Sequence, residues 1–336
     1  MSPIENKTIK KNKLSQPGSL RSSYPIDVDT ESAVAKYRKS ISQILSSKDK
    51  RRIAVVGPCA LDETSAIEEF VEKLVPVAKE VKDKVMVVVR APIAKPRTTV
   101  GWRGLEQDSI EKARDQLVKI SKTMPVAIEL LEPHHLAWYG DLLSLGWIGA
   151  RSIEVQNLRL MVSSAPKLPV LLKNRGDGAI KPAVQARAAV GSPHHQVPLI
   201  DNEGVLALND TPGNPNSAVM LRGSESNTSN ITKEAVDKVV ELNDKMGLAQ
   251  TGVFFDVSHG NCAAENNGNK TPAGQVKAFE RMLELIETEG KQIRGVMVEG
   301  YVHAGNGLGY GLSRVDPCVN IATTIDMIQK LAKVGE

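Results

Sequence analysis

RRIAVVGPC, at residues 51–59, is a short apolar run that ends in Cys59, a residue able to bind a metal. Seven further runs of this kind follow in order, and each ends in or just before a residue able to bind a metal or an anion. They are KVMVVVRAP (84–92), PVAIELL (125–131), WIGARS (147–152), LPVLLKN (168–174), SAVMLRG (217–223), GVFFDVSHGN (252–261) and GVMVEG (295–300). Their polar residues are Arg90, Glu129, Arg151, Lys173, Arg222, His259 and Glu299.

Helical periodicity fills most of the segments between these runs. Helices are expected at residues 63–81, 108–123, 133–145, 180–190, 232–246, 271–289 and 316–334. Repeated strand–helix units predict a parallel sheet, and eight of them predict a closed (β/α)8 barrel, the TIM-barrel form of an α/β fold. Because the carboxyl ends of all eight strands face one mouth, the eight polar residues are expected to share one site.

Two segments outside these units are predicted to elaborate a single domain. Residues 1–30 are polar and rich in Lys and Ser, so an extended N-terminal arm is expected, followed by a helix from Thr30 to Ile44. VLALND, TPGNPN and SAVMLRG, over residues 205–223, predict two extended segments joined by a turn, hence a hairpin near the sixth unit. Residues 31–336 are expected to form one barrel catalytic domain.

The composition disfavours several classes of protein. Apolar residues make up 41% and charged residues 24% of the chain, as in soluble globular enzymes. A net charge of +4 and 4% aromatic residues argue against nucleic-acid binding, and no apolar run approaches the roughly 20 residues of a membrane span. The three cysteines show no pairing pattern, which favours a reducing compartment. A cytoplasmic enzyme with anionic substrates is therefore expected.

The stretch RAPIAKPRTTVGWRGL, at residues 90–105, has the residues of a phosphate-binding loop. Arg97 and Thr98 place a guanidinium beside a hydroxyl, and Lys95 adds a second cation. Guanidinium groups match the oxygen geometry of phosphate, and Pro96 stiffens the loop, which lowers the entropy lost on binding. The alternative is an exposed basic turn that only solvates the surface.

Arg151, Lys173 and Arg222 form a second basic set at three predicted strand ends. Three cations that converge in one cleft repel one another unless an anion compensates them, so they indicate a phosphate-bearing ligand. Each could instead be a salt-bridged residue of the barrel rim. Lys173 has a further possible role in proton transfer or Schiff-base chemistry, because crowding by cations depresses a lysine pKa.

Cys59, His259, Glu299 and Asp316 offer a thiolate, an imidazole and two carboxylates. This mixture suits a divalent transition-metal ion. Their spacing in the sequence carries no metal signature, and only closure of the barrel brings the first strand beside the last two. The alternatives are a buried structural Cys59, a core His259, and an Asp316 that caps the last helix before Pro317. Cys262 and Cys318 are interpreted as packing residues, and His134, His135, His194 and His195 as exposed.

Several long motifs, in order, resemble those of the type I 3-deoxy-D-arabino-heptulosonate-7-phosphate (DAHP) synthases. They are GPC (57–59), KPRTTVGWRGL (95–105), GARS (149–152), LLKN (171–174), GDG (176–178), LRG (221–223), DVSHGN (256–261) and VMVE (296–299). The similarity runs from about residue 36 to the end of the chain. Members of that family condense phosphoenolpyruvate with erythrose 4-phosphate and water to give DAHP and phosphate, the first step of the shikimate pathway of aromatic biosynthesis.

The resemblance implies a role for each site residue. Arg90, Arg151, Lys173 and Arg222, with Glu129 nearby, would bind phosphoenolpyruvate, and Lys95, Arg97 and Thr98 would bind the phosphorylated aldose. Cys59, His259, Glu299 and Asp316 would hold a divalent ion such as Mn, Fe, Co or Zn. Lys95 and Lys173 would be the candidates for proton transfer. A homodimer or homotetramer is also implied.

Some strand-end loops depart from the family pattern, and two alternatives stay open. Ala94 stands where the family has glutamate before KPRTT, and GYVHAGNG follows Glu299 in place of a Ser-His-containing run. Such loops change specificity in TIM barrels while the chemistry is kept. A specialised relative that uses another aldehyde in a secondary pathway is one alternative. The other is a catalytically reduced paralogue that acts as a regulatory subunit.

Overall fold

The computed structural model describes residues 14–97, 101–104 and 109–334. The described strands are β1 Arg52–Gly57, β2 Val85–Arg90, β3 Lys95–Arg97, β4 Gly101–Arg103, β5 Val126–Glu129, β6 Leu145–Ile148, β7 Val170–Lys173, β8 His194–Ile200, β9 Leu206–Thr211, β10 Ser217–Leu221, β11 Val253–Asp256 and β12 Ile293–Glu299. The described helices are α1 Pro17–Ser23, α2 Val28–Leu45, α3 Thr64–Glu80, α4 Ile110–Ser121, α5 His135–Tyr139, α6 Gln156–Ser163, α7 Lys181–Gly191, α8 Lys233–Lys245, α9 Gly260–Ala264, α10 Pro272–Glu289 and α11 Ile321–Lys333. Among these helices, none combines the length and the apolar character that crossing a bilayer requires.

Eight parallel strands close into a barrel in the order β1, β2, β5, β6, β7, β10, β11, β12. The last strand completes the ring on the first, and Gly57 lies opposite Glu299 in that pairing. β2 is buried along its whole length, because helices cover the outside of the barrel while side chains fill its interior. The predicted TIM-barrel fold is confirmed, and each of the eight apolar runs contributes one barrel strand.

The helix α2 covers the amino-terminal end of the barrel. Ile41, Ile44 and Leu45 pack in one cluster with inward-facing barrel residues, including Ile53 at the start of β1. The Leu45 carbonyl also accepts a hydrogen bond from the Gly252 amide just before β11. The apolar face of α2 thus closes the amino-terminal end of the barrel. The carboxyl-terminal end, where the strands finish, stays open for the site.

The N-terminal region differs from the expected extended arm. Pro17–Ser23 is helical, with proline at a position of the first turn that helices tolerate well, and its Gly18 amide donates to the Asn202 carbonyl. The helix expected from Thr30 begins at Val28, because Asp27 caps it by accepting a hydrogen bond from the Thr30 amide at 2.7 Å. Residues 1–13 lie outside the described part of the chain.

The segment before the sixth barrel strand forms a hairpin with a different pairing from the predicted one. β8 and β9 are antiparallel, and Ile200 lies opposite Leu206 across a turn at residues 201–205. The predicted pairing across TPGNPN is not confirmed. Residues 212–216 instead connect the hairpin to β10, and the Asn214 side chain donates to the Leu168 carbonyl at 2.8 Å.

Several helices differ from the sequence expectation in length or in presence. The helix predicted at residues 133–145 is only His135–Tyr139, and the last helix begins at Ile321. Asn320, whose side chain accepts from the Thr323 amide, caps that helix, so the interpretation of Asp316 as its cap is wrong. Besides Pro17–Ser23, two further short helices, Gln156–Ser163 and Gly260–Ala264, were not predicted.

Replacing Arg114 with methionine is expected to lower the free energy of unfolding by about 3 kcal/mol. Arg114 is fully buried and pairs through two nitrogens with Asp141, and it also donates to the carbonyls of Tyr24 and Trp138. Denaturant titration measures the change. Arg175→Met is the control, since Arg175 pairs with Asp177 on the exposed surface and its loss should leave the midpoint nearly unchanged.

Candidate active site

Three predicted metal ligands converge at the carboxyl end of the barrel. One donor atom from each of Cys59, Glu299 and Asp316 lies within 4.8 Å of the other two. The Cys59 thiol is 3.6 Å from Asp316 Oδ2. Cys59 follows β1, Glu299 ends β12, and Asp316 lies on the loop after β12, so closure of the barrel between its first and last strands brings them together.

His259 borders this group without being part of it. Its Nε2 lies 3.7 Å from Glu299 Oε1, and its Nδ1 lies 2.8 Å from Asp256 Oδ2. Burial lowers the pKa of His259 to about 4, although Asp256 opposes the shift. The imidazole is therefore neutral near pH 7, which is the form that binds metals. His259 is mostly buried, as the alternative interpretation of a core histidine requires, and it also lies beside Glu299, a proposed metal ligand.

The donor set fits a divalent metal ion. Among the described residues, the buried Glu299 Oε2 has no hydrogen-bond partner, which leaves an acceptor oxygen with unused capacity. Thiol, imidazole and carboxylate are the ligand types that borderline transition ions accept. Burial raises the pKa of Cys59 to about 12, so binding of a cation beside the sulfur would favour loss of its proton.

Two buried cations face this acceptor cluster. Arg90 is 1% exposed, donates to Glu299 Oε1 at 2.6 Å and stacks over Trp147 with its guanidinium carbon 5.1 Å from the ring centre. Lys95 Nζ lies 3.6 Å from Glu299 Oε1 and 3.9 Å from Asp316 Oδ2. Burial alone would lower the pKa of Lys95, but the acidic groups around it outweigh burial and raise that pKa.

Lys173 lies deeper in the same barrel mouth. It is 4% exposed, and its Nζ donates to Asp256 Oδ2 at 2.5 Å. Burial lowers the pKa of Lys173, and Asp256 partly opposes that shift. This agrees in direction with the depressed pKa expected from the sequence, although desolvation contributes more than the neighbouring cations.

Arg151 and Arg222 line the outer part of the mouth, with Glu129 and Lys270. All four border a narrow cleft, and a wider cavity of about 550 Å³ adjoins it on the side of Arg151, Arg222 and Lys270. Arg222 is 6% exposed, and its Nη1 has no hydrogen-bond partner in the described part of the chain. A buried guanidinium with a free donor is a natural site for an anion oxygen.

Gly149 allows Glu129 to approach the backbone of the next strand. A Cβ atom at this position would lie 2.0 Å from Glu129 Oε1, so any other residue here would push the Glu129 carboxylate out of its present place. The glycine of the GARS motif therefore has a steric reason, which is to leave room for a carboxylate at the cleft.

Two predicted residues of the KPRTT loop cannot be placed. Thr98 lies outside the described residues, and only the backbone of Arg97 is described, where it pairs with Gly101 in an antiparallel ribbon. Three site residues, in turn, escaped sequence reasoning: Trp147, Asp256 and Lys270. Asp256 and Trp147 occupy inward-facing strand positions, so their alternation with outward-facing neighbours was an available signal. Lys270 pairs with Asp316 at 3.3 Å from a distant loop, and no local pattern marks it.

The other cysteines lie where they were expected, but of the four histidines predicted to be exposed only His195 is, since His134 and His194 are half-buried. Cys262 and Cys318 are buried, as their interpretation as packing residues requires. His195 is exposed, but His135 is fully buried and its Nδ1 accepts from the Leu131 amide, so its predicted exposure is wrong.

Comparison with known proteins shows the family to which this chain belongs. The family model described as "DAHP synthetase I family" matches residues 23–333. The chain belongs to the DAHP synthetase I family. The Tyr-sensitive phospho-2-dehydro-3-deoxyheptonate aldolase of Escherichia coli is 32% identical over 95% of this chain and 92% of its own. The phenylalanine-inhibited aldolase of Saccharomyces cerevisiae is 30% identical over 95% and 90%.

A solved structure of another family member has the same fold. The phospho-2-dehydro-3-deoxyheptonate aldolase of Francisella tularensis superposes with a TM-score of 0.90 and 30% sequence identity, covering 97% of this chain and 98% of that one. The superposition therefore extends over nearly the whole of both chains.

Proposed function

We propose that the chain is a metal-dependent DAHP synthase. It condenses phosphoenolpyruvate with erythrose 4-phosphate and water, and gives 3-deoxy-D-arabino-heptulosonate 7-phosphate and inorganic phosphate. The observation that carries the proposal is that Glu299 belongs to both halves of the mouth. It is one of the three clustered acceptors with Cys59 and Asp316, and it also pairs with the buried cation Arg90. A metal site and a cationic anion site thus share one buried carboxylate.

Two of the cations would bind the phosphate of phosphoenolpyruvate, and two others would bind its carboxylate. Arg151 and Arg222 face the wider cavity and would bind its phosphate, while Arg90 and Lys173, on the floor of the mouth beside Trp147, would bind its carboxylate. A substrate held at both ends presents one face of its double bond to the aldehyde, which lowers the entropy cost of the reaction.

Cys59, His259, Glu299 and Asp316 would hold the divalent ion, which when bound supplies a Lewis acid for the aldehyde oxygen. Lys95 lies beside that cluster and would hold or deliver the proton at the new hydroxyl. The methylene carbon of phosphoenolpyruvate forms the bond to the aldehyde carbon, water adds at C2, and the resulting tetrahedral intermediate expels phosphate. The cationic groups at the phosphate stabilise the charge that develops on it.

The test is metal-dependent release of phosphate from the two substrates together. Protein loaded with Mn²⁺ should release phosphate only when both are present, excess chelator should abolish release, and added Mn²⁺ should restore it. The product mass should equal the sum of the two substrates and water, less phosphate. Metal-loaded protein that releases no phosphate with any short aldose would instead support the regulatory paralogue.

The related candidate is an enzyme that uses a different aldehyde. It is favoured by Ala94, a buried apolar residue directly before Lys95 where the family pattern has glutamate. Replacing a carboxylate by a methyl group beside the aldose loop changes which hydroxyls can be bound. A panel of aldehydes with phosphoenolpyruvate, compared by kcat/KM and product mass, separates this candidate from the first.

Cys59→Ser is expected to weaken metal retention without unfolding the barrel. A serine hydroxyl keeps nearly the same size, but a neutral alcohol is a much poorer ligand than a thiolate for transition ions. Metal content after gel filtration should fall well below that of the unsubstituted protein, while the circular dichroism spectrum stays the same. Cys262→Ser is the matched control, because Cys262 is buried but bonds to the Thr271 backbone. Unchanged metal content in Cys59→Ser would remove Cys59 from the site.

We also propose that residues 31–336 are one catalytic domain and that the chain assembles as a homodimer or homotetramer. One apolar cluster contains Leu61 near β1 and Leu331 in the last helix, and Leu20 of α1 packs in the same cluster, which supports a single domain. Light scattering coupled to size-exclusion chromatography measures the assembly.

A further inference from the structure

Asp256 places a single buried carboxylate oxygen between the two halves of the site. The residue ends β11 and is fully buried. Its Oδ2 lies 2.5 Å from Lys173 Nζ and 2.8 Å from His259 Nδ1, while its Oδ1 accepts from the Ser258 amide at 2.8 Å. Lys173 belongs to the proposed substrate site and His259 to the proposed metal site. The same oxygen of Asp256 therefore contacts one residue of each site.

The contact with Asp256 indicates which ring nitrogen of His259 has a lone pair available for a metal ion. His259 Nδ1 is close enough to Asp256 Oδ2 for a hydrogen bond, although the ring is not aligned for one in this structure. Because a carboxylate oxygen only accepts hydrogen bonds, we expect the neutral imidazole to carry its proton on Nδ1, facing Asp256. The lone pair on Nε2 then faces Glu299 Oε1, 3.7 Å away, on the side of the acceptor cluster. Carboxylates that bind the far nitrogen of a metal-binding histidine orient the ring and raise its basicity.

The same oxygen fixes the position of Lys173. The ammonium is held within 6.0 Å of the Trp147 ring centre, and Arg90 stacks over that ring as well. Two cations this close repel each other in a buried site. Asp256 provides the negative charge that lets both remain there, as its buried and charge-paired position requires.

We propose that Asp256 is a positioning residue that couples the metal site to the phosphoenolpyruvate site, an inference that rests on the proposed function. Because its Oδ2 serves both His259 and Lys173, a change on one side alters the charge that the other side receives. Asp256 is not among the residues proposed above to bind the ion or the substrate. Its removal should therefore weaken both binding events at once, through two different neighbours.

The test uses binding alone, so it does not depend on turnover. In chelator-stripped Asp256→Asn, calorimetry should show Mn²⁺ affinity lowered by about 10- to 100-fold, and Mn²⁺-loaded protein should bind phosphoenolpyruvate more weakly by a similar factor. Nitrogen NMR of the metal-free protein should show His259 shifted away from the Nδ1-protonated tautomer. Mn²⁺ affinity, phosphoenolpyruvate affinity or a tautomer that stays as in the unsubstituted protein would overturn the proposal.

A second variant keeps the test valid if Asp256→Asn fails to fold. Lys173→Met leaves Oδ2 to His259 alone, so Mn²⁺ should bind several-fold more tightly, although no hydrogen bond or ion pair in the described part of the chain joins Lys173 to a proposed metal ligand. Arg151→Met, which removes an exposed cation of the same mouth, should leave Mn²⁺ affinity unchanged. Equal Mn²⁺ affinities in Lys173→Met and the unsubstituted protein would overturn the coupling. Inactive protein that still shows these shifts would contradict the proposed function and leave the coupling intact.

Discussion

Glu299→Gln is expected to abolish metal retention and turnover together, the largest effect of any single substitution in the site. Glu299 is fully buried, and its Oε1 lies within 4 Å of Arg90, Lys95 and His259. An amide of the same size keeps the packing but removes the negative charge. Mn²⁺ affinity should fall by more than about a hundredfold, beyond the loss seen when only the partner of a ligand is changed.

The same substitution should also destabilise the fold, because it leaves two buried cations without their counter-charge. Arg90 donates to Glu299 at 2.6 Å, and breaking a buried pair from one side costs about 3 kcal/mol. Denaturant titration and metal analysis after gel filtration measure the two effects separately. Glu241→Gln, an exposed glutamate paired with Lys238 and Lys245 on a helix surface, is the control and should change neither. Glu299→Gln protein that still carries a full equivalent of Mn²⁺ would contradict the assignment of Glu299 as a ligand.

The barrel and the general place of the site followed from the sequence because parallel strands buried on both faces are continuous apolar runs. In β2, for example, every residue from Val85 to Arg90 is buried, and the polar residue at its end is the one that faces the mouth. The order of such ends along the chain defines one shared surface once the barrel closes. No knowledge of individual contacts was needed for that step.

The predictions of the last helix start and of the hairpin pairing were wrong because tertiary contacts overrode the local sequence signals. Asp316 before Pro317 has the local pattern of a helix start, but the chain first returns to the barrel, where Val319 bridges to Gly300, and the helix starts only at Ile321. Likewise TPGNPN has the composition of a turn, yet the hairpin register is set by the pairing of β8 with β9. Turn residues show where a chain can bend, whereas pairing partners decide which bend forms a hairpin.

Asp256 shows a further limit of reading strand ends. The sequence pointed to His259 as the polar residue of its run, but the carboxylate three positions earlier holds both His259 and Lys173. Its importance comes from the proximity of β7 and β11 across the barrel mouth, which no spacing along the chain encodes. The ligands of a site are easier to recognise from sequence than the residues that orient them.

Lys95→Met is expected to lower kcat by about a thousandfold, the range lost when a proton-transfer group is removed, while Mn²⁺ affinity does not fall. Lys95 Nζ lies 3.6 Å from Glu299 Oε1 and 3.9 Å from Asp316 Oδ2, so its ammonium repels a cation bound by those oxygens. Removing that charge should make Mn²⁺ bind more tightly. Tighter metal binding with lost turnover distinguishes a reacting lysine from one that only supports the metal site.

Lys270→Met is the matched control, because Lys270 also pairs with Asp316, at 3.3 Å from Oδ1, but its side chain is 34% exposed against 7% for Lys95. Removing Lys270 should also raise Mn²⁺ affinity, but by less than removing Lys95, because solvent screens the charge of Lys270. It should reduce kcat far less than Lys95→Met does. Calorimetry with Mn²⁺ and steady-state phosphate release give both quantities for each variant. Loss of Mn²⁺ affinity in Lys95→Met would mean that the ammonium holds the carboxylates in place for the ion. Lys95 would then belong to the scaffold of the metal site, and the source of the proton would have to be sought at Lys173.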